Sequence, residues 1–239
     1  MEIKIFDSKE EIGKYAAGIF ADVINSNDEP ILGLATGSSP IPTYDELIRL
    51  HNDGKLSFEN VSTFNLDEYK GLDKTHDQSY YYFMNDKLFS HVNINVDNTN
   101  IPSGTGDIKA ICDAYNKMLS ENVIDVQLLG IGSNGHIGFN EPGTSFDSVT
   151  HSIELDESTR IDNSIYFKSL DDVPTEAVTM GLSNIMDAKK VVLIATGEGK
   201  SWAINELVNN PKSTNVPASV LQSHKDVIIL LDKEAASKL

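Results

Sequence analysis

A glycine-rich stretch near the middle of the chain brings three side chains that can hold or move protons into one short loop. Residues 128–143 read LLGIGSNGHIGFNEPG and present Asn134, His136 and Glu141 close together. Histidine titrates near neutral pH, and a carboxylate five residues later could hold one ring nitrogen and fix the tautomer. The trio predicts proton transfer at this loop, although a histidine that only hydrogen-bonds the turn, beside a solvated acid, would have the same sequence.

The glycines of this loop also fit a second pattern. Gly130, Gly132 and Gly135 have the G-x-G-x-x-G spacing of a dinucleotide-binding turn. Such a turn must open a long helix, whereas the sequence NEPG at 140–143 would end any helix, because proline removes a hydrogen-bond donor and restricts the residue before it. We therefore expect this loop to present side chains rather than to cradle a pyrophosphate.

Polar groups follow two further apolar runs nearer the N-terminus. The run 31–35 is followed by a loop that combines hydroxyls with a flexible glycine, namely Thr36, Gly37, Ser38 and Ser39. At the N-terminus of a helix such a loop predicts an anion site, although an ordinary helix cap uses the same residues. The run 61–66 is followed by Asp67 and Glu68, a carboxylate pair that could supply a general base or a cap.

A lysine follows another apolar run near the C-terminus. The run 191–195 leads into TGEGKS at 196–201, which resembles the end of a phosphate-binding P-loop. The first glycine of that motif would fall on Ile194, so a nucleoside triphosphate site is not expected. Lys200 still suits the role of a phosphate counter-charge, with a plain helix-surface lysine as the alternative.

The elements that must position these groups alternate along the chain. Strand-like apolar runs lie at 3–6, 31–35, 61–66, 126–131, 191–195 and 227–231. Apolar residues spaced three or four apart lie at 9–26, 40–52, 78–90, 107–121, 174–187 and 198–209. This alternation predicts an α/β fold, with a mostly parallel central sheet and helices on both faces. Because parallel strands end at one edge of their sheet, the four polar strand ends should converge.

One domain over 1–239 is expected, since no linker, repeat or low-complexity tract divides the chain. The stretch 144–173 is polar and irregular, which fits a surface excursion or a lid over the loop at 130–143.

Composition limits the partners that the chain can have. Nineteen basic and 36 acidic residues give a net charge of −17, which opposes binding to nucleic acid or an anionic membrane. The single cysteine, Cys112, excludes an internal disulfide and a cysteine-based zinc site. No apolar run approaches the ~20 residues of a membrane span, and the first residues lack the apolar core of a signal peptide. These features predict a cytoplasmic protein without nucleic-acid or membrane partners.

Three blocks of sequence closely resemble the glucosamine-6-phosphate deaminase (isomerase) family. They are NLDEY at 65–69, SYY at 79–81 and GIGSNGHIGFNEP at 130–142, and the resemblance extends over nearly the whole chain. The related 6-phosphogluconolactonases share the histidine loop, but FNEP at 139–142 and DEY at 67–69 resemble the deaminase branch. The resemblance implies a Rossmann-like three-layer fold and conversion of glucosamine 6-phosphate and water to fructose 6-phosphate and ammonia, with no metal or organic cofactor.

The resemblance also implies roles for single residues. Asp67 matches the base that moves a proton between C2 and C1 of the opened sugar, and His136 matches the residue that assists ring opening. Glu141 matches its carboxylate partner. Asn134 stands where many family members have aspartate, which removes one negative charge beside the histidine. Substrate and phosphate binding is implied for the Thr36–Ser39 loop, Gly135 and Lys200.

Two departures from the family pattern affect substrate binding and assembly. Ile165 stands where the family often has a lid arginine, so Lys200 and backbone donors, or Arg160 or Lys168, would have to hold the phosphate. The chain ends at Leu239, without the longer C-terminal segment of the allosteric hexameric members. A monomer or small homo-oligomer that binds a small sugar phosphate is implied. The alternatives are a galactosamine-6-phosphate deaminase, a 6-phosphogluconolactonase and a non-catalytic sugar-phosphate sensor.

Overall fold

The computed structural model describes residues 1–239 as ten strands and seven α-helices. The strands are β1 (Glu2–Phe6), β2 (Ile31–Leu34), β3 (Ser62–Asn65), β4 (Asp67–Tyr69), β5 (Thr99–Asn100), β6 (Val126–Leu129), β7 (His151–Glu154), β8 (Glu176–Thr179), β9 (Lys190–Ala195) and β10 (Val227–Asp232). The helices are α1 (Lys9–Ser26), α2 (Ile41–Asn52), α3 (Tyr80–Lys87), α4 (Ile108–Glu121), α5 (Glu157–Asn163), α6 (Leu182–Met186) and α7 (Ser201–Asn209).

A seven-stranded parallel sheet forms the centre of the molecule. Its strand order is β1-β10-β9-β6-β2-β3-β5, with helices packed around it. The inner strands are buried along their whole length, as the VQLL sequence of β6 shows, and they form one large apolar core with the helices. Burial on both faces explains why these strands are continuous apolar runs rather than alternating ones. The predicted parallel α/β architecture is confirmed.

The sheet contains a topological switch point between β2 and β6. From β2 the chain builds the sheet outward through β3 and β5, whereas from β6 it builds in the opposite direction through β9 and β10. The loops that follow β2 and β6 therefore diverge and leave a crevice at the carboxyl edge, which is where open α/β folds bind ligands. No helix is both long and apolar enough to cross a bilayer.

A small second sheet adjoins this edge. It has the order β4-β8-β7 with antiparallel pairing throughout. The chain passes directly from β3 into β4 through Leu66, whose carbonyl accepts a hydrogen bond from the Met180 N–H at 2.6 Å. The hydroxyl of Tyr115 donates to the Asn65 carbonyl at 2.6 Å and fixes the end of β3. Asp67 thus lies at the junction of the two sheets.

Part of the helical prediction is wrong. The segment 174–187 is a strand, β8, followed by the short α6, rather than one helix. Its first half has antiparallel partners on both sides, and this tertiary pairing outweighs the helical spacing of its apolar residues. The polar stretch 144–173 also contains more regular structure than its sequence indicates, namely β7, α5 and two 3₁₀ turns at 164–166 and 170–172.

Candidate active site

A cavity of about 430 Å³ opens at the carboxyl edge of the sheet, at the switch point. Loops that follow four neighbouring strands, β9, β6, β2 and β3, contribute to its lining, and so does the segment containing α5. The lining side chains that bear chemical groups are Thr36, Ser38, Ser39, Asp67, Tyr80, Ser133, His136, Thr159, Asp162, Asn163, Tyr166 and Lys200. The expected convergence of the four polar strand ends is therefore observed.

Asp67 is the buried carboxylate of this cavity. It is the first residue of β4, pairs with Thr179 of β8, and is only 5% exposed. Burial, and secondarily the charge of Glu68, raises the pKa of Asp67 well above the ordinary range of a carboxyl. A carboxylate held on a strand end in a poorly solvated site, with a raised pKa, suits proton abstraction.

Glu68, unlike the neighbouring Asp67, holds backbone groups in place. Its carboxylate accepts backbone N–H bonds from Tyr69, Tyr80 and Tyr81, at 2.8 to 3.2 Å. Burial raises the pKa of Glu68 to about 7, although these backbone hydrogen bonds lower it. Two of the donors belong to the first turn of α3, so Glu68 fixes that helix N-terminus and with it Tyr80, which lines the cavity.

A three-residue hydrogen-bond chain holds His136. The Oδ1 of Asn134 lies 2.7 Å from His136 Nδ1 and also accepts the His136 backbone N–H at 3.1 Å. The Nδ2 of Asn134 donates to Glu141 Oε2 at 2.9 Å. These contacts agree on one amide orientation, because a backbone N–H must meet an oxygen and a carboxylate must meet a donor. An amide oxygen only accepts, so Nδ1 carries the hydrogen and Nε2 keeps its lone pair.

Burial and hydrogen bonding oppose each other at Glu141. Burial pushes its pKa upward, but the hydrogen bond and charge of His136, with hydrogen bonds from Thr159 and Asn134, lower the pKa overall. Glu141 therefore stays ionised behind the histidine. Its Oε2 lies 3.6 Å from His136 Nδ1, and its Oε1 accepts the Asp156 N–H at 3.3 Å.

Two glycines allow the loop to take this shape. A Cβ on Gly132 would lie 2.2 Å from His136 Cε1, so only glycine leaves room for the imidazole ring. Gly135 has a φ of +87°, a left-handed conformation that favours glycine. No helix follows these residues, in agreement with the expectation that the loop presents side chains.

The far part of the cavity lining is suited to an anion. The loop Thr36–Ser39 leads into α2, and the Oγ of Ser39 lies near Gly130 of the neighbouring loop. Lys200 stands at the N-terminus of α7, where the helix dipole also favours negative charge. Burial lowers the pKa of Lys200, and the carboxylate of Asp162 partly opposes this shift. A mostly buried lysine beside a hydroxyl-bearing loop can bind a phosphate group.

The sequence-derived site residues occupy two positions relative to the cavity. Asp67, His136, Lys200 and the Thr36–Ser39 loop line it directly. Asn134 and Glu141 lie behind His136 and contact its Nδ1 side, while Gly135 turns the loop without lining the cavity. No group of three or more His, Cys, Asp or Glu side chains converges in a way that could hold a metal ion.

Several lining residues come from the polar stretch 144–173 and were missed from the sequence. They are Thr159, Asp162, Asn163 and Tyr166, and Ile165, already noted as the position of the family's lid arginine, lines the cavity as well. Arg160 is not a cavity residue, because its guanidinium donates to the carbonyls of Leu170 and Val173. Lys168 does not line the cavity either. The short α5 gives little periodic signal, so only its acidic first residues and the N-cap Asp156 could have located it.

The parallel-sheet fold and a site with a buried carboxylate, a held histidine and a lysine define an α/β enzyme that carries out acid/base chemistry at a topological switch point. The model of the glucosamine-6-phosphate isomerase/6-phosphogluconolactonase family matches residues 7–229. The chain belongs to this family.

Individual relatives are similar over their full lengths. The glucosamine-6-phosphate deaminases of Clostridium botulinum (strain Langeland) and Clostridium perfringens (strain 13) are each 47% identical over 241 residues, covering 100% of this chain and 99% and 100% of those proteins. The structure of a monomeric glucosamine-6-phosphate deaminase superposes with a TM-score of 0.98 at 45% identity, covering both chains completely. The 6-phosphogluconolactonase of Trypanosoma brucei shares the fold, with a TM-score of 0.81 at 22% identity, over 100% of this chain and 98% of that one.

Proposed function

We propose that this chain converts glucosamine 6-phosphate and water to fructose 6-phosphate and ammonia. The observation that carries the proposal is the position of Asp67, a buried carboxylate with a raised pKa in the same cavity as His136 and Lys200. Relatives 47% identical over their whole length are glucosamine-6-phosphate deaminases, which supports the same reaction here.

Ring opening is the first step and belongs to His136. Its Nδ1–H is held by Asn134, so the free Nε2 can accept the proton of the C1 hydroxyl and return it to the ring oxygen. Glu141 remains ionised and stabilises the imidazolium that forms in between. The product of this step is the open-chain amino aldehyde.

Proton transfer between carbons is the second step and belongs to Asp67. The carboxylate removes the proton on C2 and delivers it to C1, and a proton passes from the amine to the aldehyde oxygen, which converts the amino aldehyde to a C2 imine with a C1 hydroxyl. Water then adds to C2, and ammonia leaves as the C2 ketone forms. A carboxylate must approach the C–H within about 3 Å for this transfer, which a rigid strand end favours over a flexible loop.

The phosphate group supplies binding energy for this positioning. Lys200 and the Thr36–Ser39 loop are the proposed phosphate site, whereas Gly135, for which the resemblance implied substrate binding, lies outside the cavity lining and shapes the loop. Contacts with a remote phosphate can be used to hold C2 near Asp67. We also propose that residues 1–239 act as one domain, that 144–173 serve as its lid, and that the protein is a monomer, as the similar deaminase structure is.

Ammonia release from purified protein tests the proposal. We expect ammonia and fructose 6-phosphate from glucosamine 6-phosphate, and a lower rate with galactosamine 6-phosphate, which differs only in configuration at C4. 6-Phosphogluconolactone is the control for the related esterase reaction and should not be hydrolysed above background. Lactone hydrolysis without ammonia release would contradict the proposal, and sedimentation of a dimer or larger assembly would contradict the monomer.

A further inference from the structure

Helix α5, which belongs to the proposed lid, contacts the His136 loop (130–143) at three points along one face. The Asp156 N–H donates to Glu141 Oε1 at 3.3 Å, Thr159 Oγ1 lies 3.4 Å from His136 Nδ1, and Asp162 Oδ2 accepts from Ser133 Oγ at 2.9 Å. Residues 156, 159 and 162 are spaced by three, so they share one face of α5 and its N-cap. All three partners belong to the loop that carries His136.

Thr159 is the innermost of these contacts. Its side chain is only 2% exposed, and a buried hydroxyl is normally engaged in hydrogen bonds. The His136 Nδ1–H is already given to Asn134 at the shorter distance of 2.7 Å, so Thr159 is left to donate its own proton. The Glu141 carboxylate lies beside this contact, with Oε2 3.6 Å from the same Nδ1; burial raises its pKa, and interactions with His136, Thr159 and Asn134 lower it overall.

We propose that this face of α5 is part of the acid/base unit, and that Thr159 is a positioning residue which holds Glu141 and His136 in place for ring opening. The role in ring opening rests on the proposed function, whereas the positioning of the imidazole does not. Asn134 gives its amide oxygen to Nδ1 and its amide nitrogen to Glu141 Oε2, so the other oxygen of Glu141 has to be held by other donors, of which the Asp156 N–H is one. With α5 displaced, Glu141 would lose its contact to Asp156, and His136 would lose its contact to Thr159.

The arrangement places contacts from α5 directly on the groups that transfer the proton. This differs from a lid that merely excludes water, because the lid then contributes contacts to the groups that move the proton.

The test compares Thr159→Val, which removes the hydroxyl at nearly constant volume, with Thr159→Ser, which keeps it. We expect Thr159→Val to lower kcat for ammonia release by about 10- to 100-fold with little change in KM, the usual effect of losing such an outer contact. Thr159→Ser should restore most of the activity. Ile161→Ala is the matched control, because Ile161 lies on the exposed side of the same helix and should leave kcat unchanged.

A second readout does not depend on activity. The ¹⁵N shifts of the His136 ring, assigned with a His136→Gln variant, should show hydrogen on Nδ1 in the wild-type protein and in Thr159→Ser. Thr159→Val should keep hydrogen on Nδ1, which Asn134 holds, but should shift the Nδ1 resonance, because the hydroxyl 3.4 Å from that nitrogen is lost. If the wild-type protein releases no ammonia, the proposed function fails, while the ring shifts still decide whether Thr159 positions the imidazole.

Two results would overturn the inference. Thr159→Val with wild-type kcat and wild-type ring shifts excludes a positioning role, and Thr159→Ser as defective as Thr159→Val assigns the effect to packing of the methyl group. Should Thr159→Val fail to fold, Asp162→Ala tests the same face from its exposed end. It should lower kcat by roughly two- to tenfold through loss of one hydrogen bond, and an unchanged kcat would refute the inference.

Discussion

Asn134 determines which ring nitrogen of His136 carries the hydrogen. An aspartate here would add a negative charge beside Nδ1, whereas the amide supplies an oxygen to Nδ1 and a nitrogen to Glu141 without changing charge. The negative charge of the unit therefore resides on Glu141, one contact further from the ring. Because the amide orientation is fixed at both ends, the tautomer that leaves Nε2 unprotonated is favoured before substrate arrives.

Removing the charge of Glu141 should impair ring opening specifically. In Glu141→Gln the amide oxygen can still accept from Asn134, but the negative charge that stabilises the imidazolium is lost. We expect a large fall in kcat with cyclic substrate, and a smaller fall in exchange of the C2 proton when open-chain substrate is supplied. Combining Glu141→Gln with His136→Gln should cost little more than either alone, because residues that act as a unit share their loss.

The control for this experiment is Glu154→Gln, an exposed carboxylate at the end of β7. It should behave as the wild-type protein in both assays. Equal losses in ring opening and in C2 exchange would indicate general damage to the loop and contradict the assignment.

Lys200 should determine recognition of the phosphate. Loss of a charge-assisted contact costs about 1.5–3 kcal/mol, so we expect Lys200→Ala to raise KM for glucosamine 6-phosphate by roughly 10- to 150-fold. Activity on unphosphorylated glucosamine should scarcely change. Because burial lowers the pKa of Lys200, its charge is lost at a lower pH than that of an ordinary lysine, and phosphate affinity should decline there too.

Lys168→Ala is the matched control, since Lys168 is an exposed lysine of the lid stretch that does not line the cavity. A similar rise in KM for both substrates in Lys200→Ala would make Lys200 a structural residue.

At the scale of elements, the loop after β6 depends on the absence of a side chain at Gly132. A Cβ there would meet the His136 ring at 2.2 Å, so Gly132→Ala must displace the imidazole while the sheet beneath stays intact. We expect a loss of kcat comparable to that of a His136 variant, with an unchanged circular dichroism spectrum. Gly18→Ala is the control, because a Cβ at Gly18 of α1 meets nothing within 4 Å and alanine favours a helix.

Wild-type turnover in Gly132→Ala would show that the position of the ring is not critical. A stability loss as large as the activity loss would show that the glycine serves folding rather than the site.

Five strands of the main sheet, β2, β3, β6, β9 and β10, were predictable because each lies in a mostly buried run bounded by turn residues, and β1 was predictable although it is an exposed edge strand. The strands β4, β5, β7 and β8 were not, since they are polar or mixed segments that become strands only through partners far away in sequence. The same distinction applies to the site residues, some of which could be located from the sequence while others could not. Asp67, His136 and Lys200 follow long strands and could be located from the sequence, whereas Thr159 reaches the site only through tertiary packing of α5.

At the scale of the whole molecule, a net charge of −17 opposes a phosphorylated substrate, so the positive potential must be local. Lys200 and the N-termini of α2 and α7 supply it at the edge where the strands end. The second sheet contributes at this scale as well, because pairing of β4 with β8 holds Asp67 against the cavity. The carboxylate of Asp67 is therefore supported by both sheets.

Burial of the Asp67 carboxylate lowers the stability of the folded protein once the group is ionised, and this effect can be measured. Burial raises the folded-state pKa of Asp67 above its unfolded value, so the folded protein binds the proton more tightly. The resulting contribution to stability is fully present below the unfolded pKa of about 3.9 and is lost as pH rises through the folded pKa. We expect Asp67→Asn to have a higher Tm than the wild-type protein at about pH 8, with the difference shrinking towards about pH 4.

The control is Asp113→Asn, an exposed carboxylate of α4, whose effect on Tm should be small at both values of pH. A Tm difference for Asp67→Asn that is the same at both would mean that burial of the charge is not what the substitution relieves.

The rate of ammonia release by Asp67→Asn is the most direct test of the central claim, that this chain is a deaminase whose general base is Asp67. A general base contributes about 10²-fold or more, so kcat should fall at least that far while glucosamine 6-phosphate still binds. Asparagine keeps the shape of the side chain and removes only its ability to accept the proton. A variant that retained more than about a tenth of wild-type kcat would contradict the account.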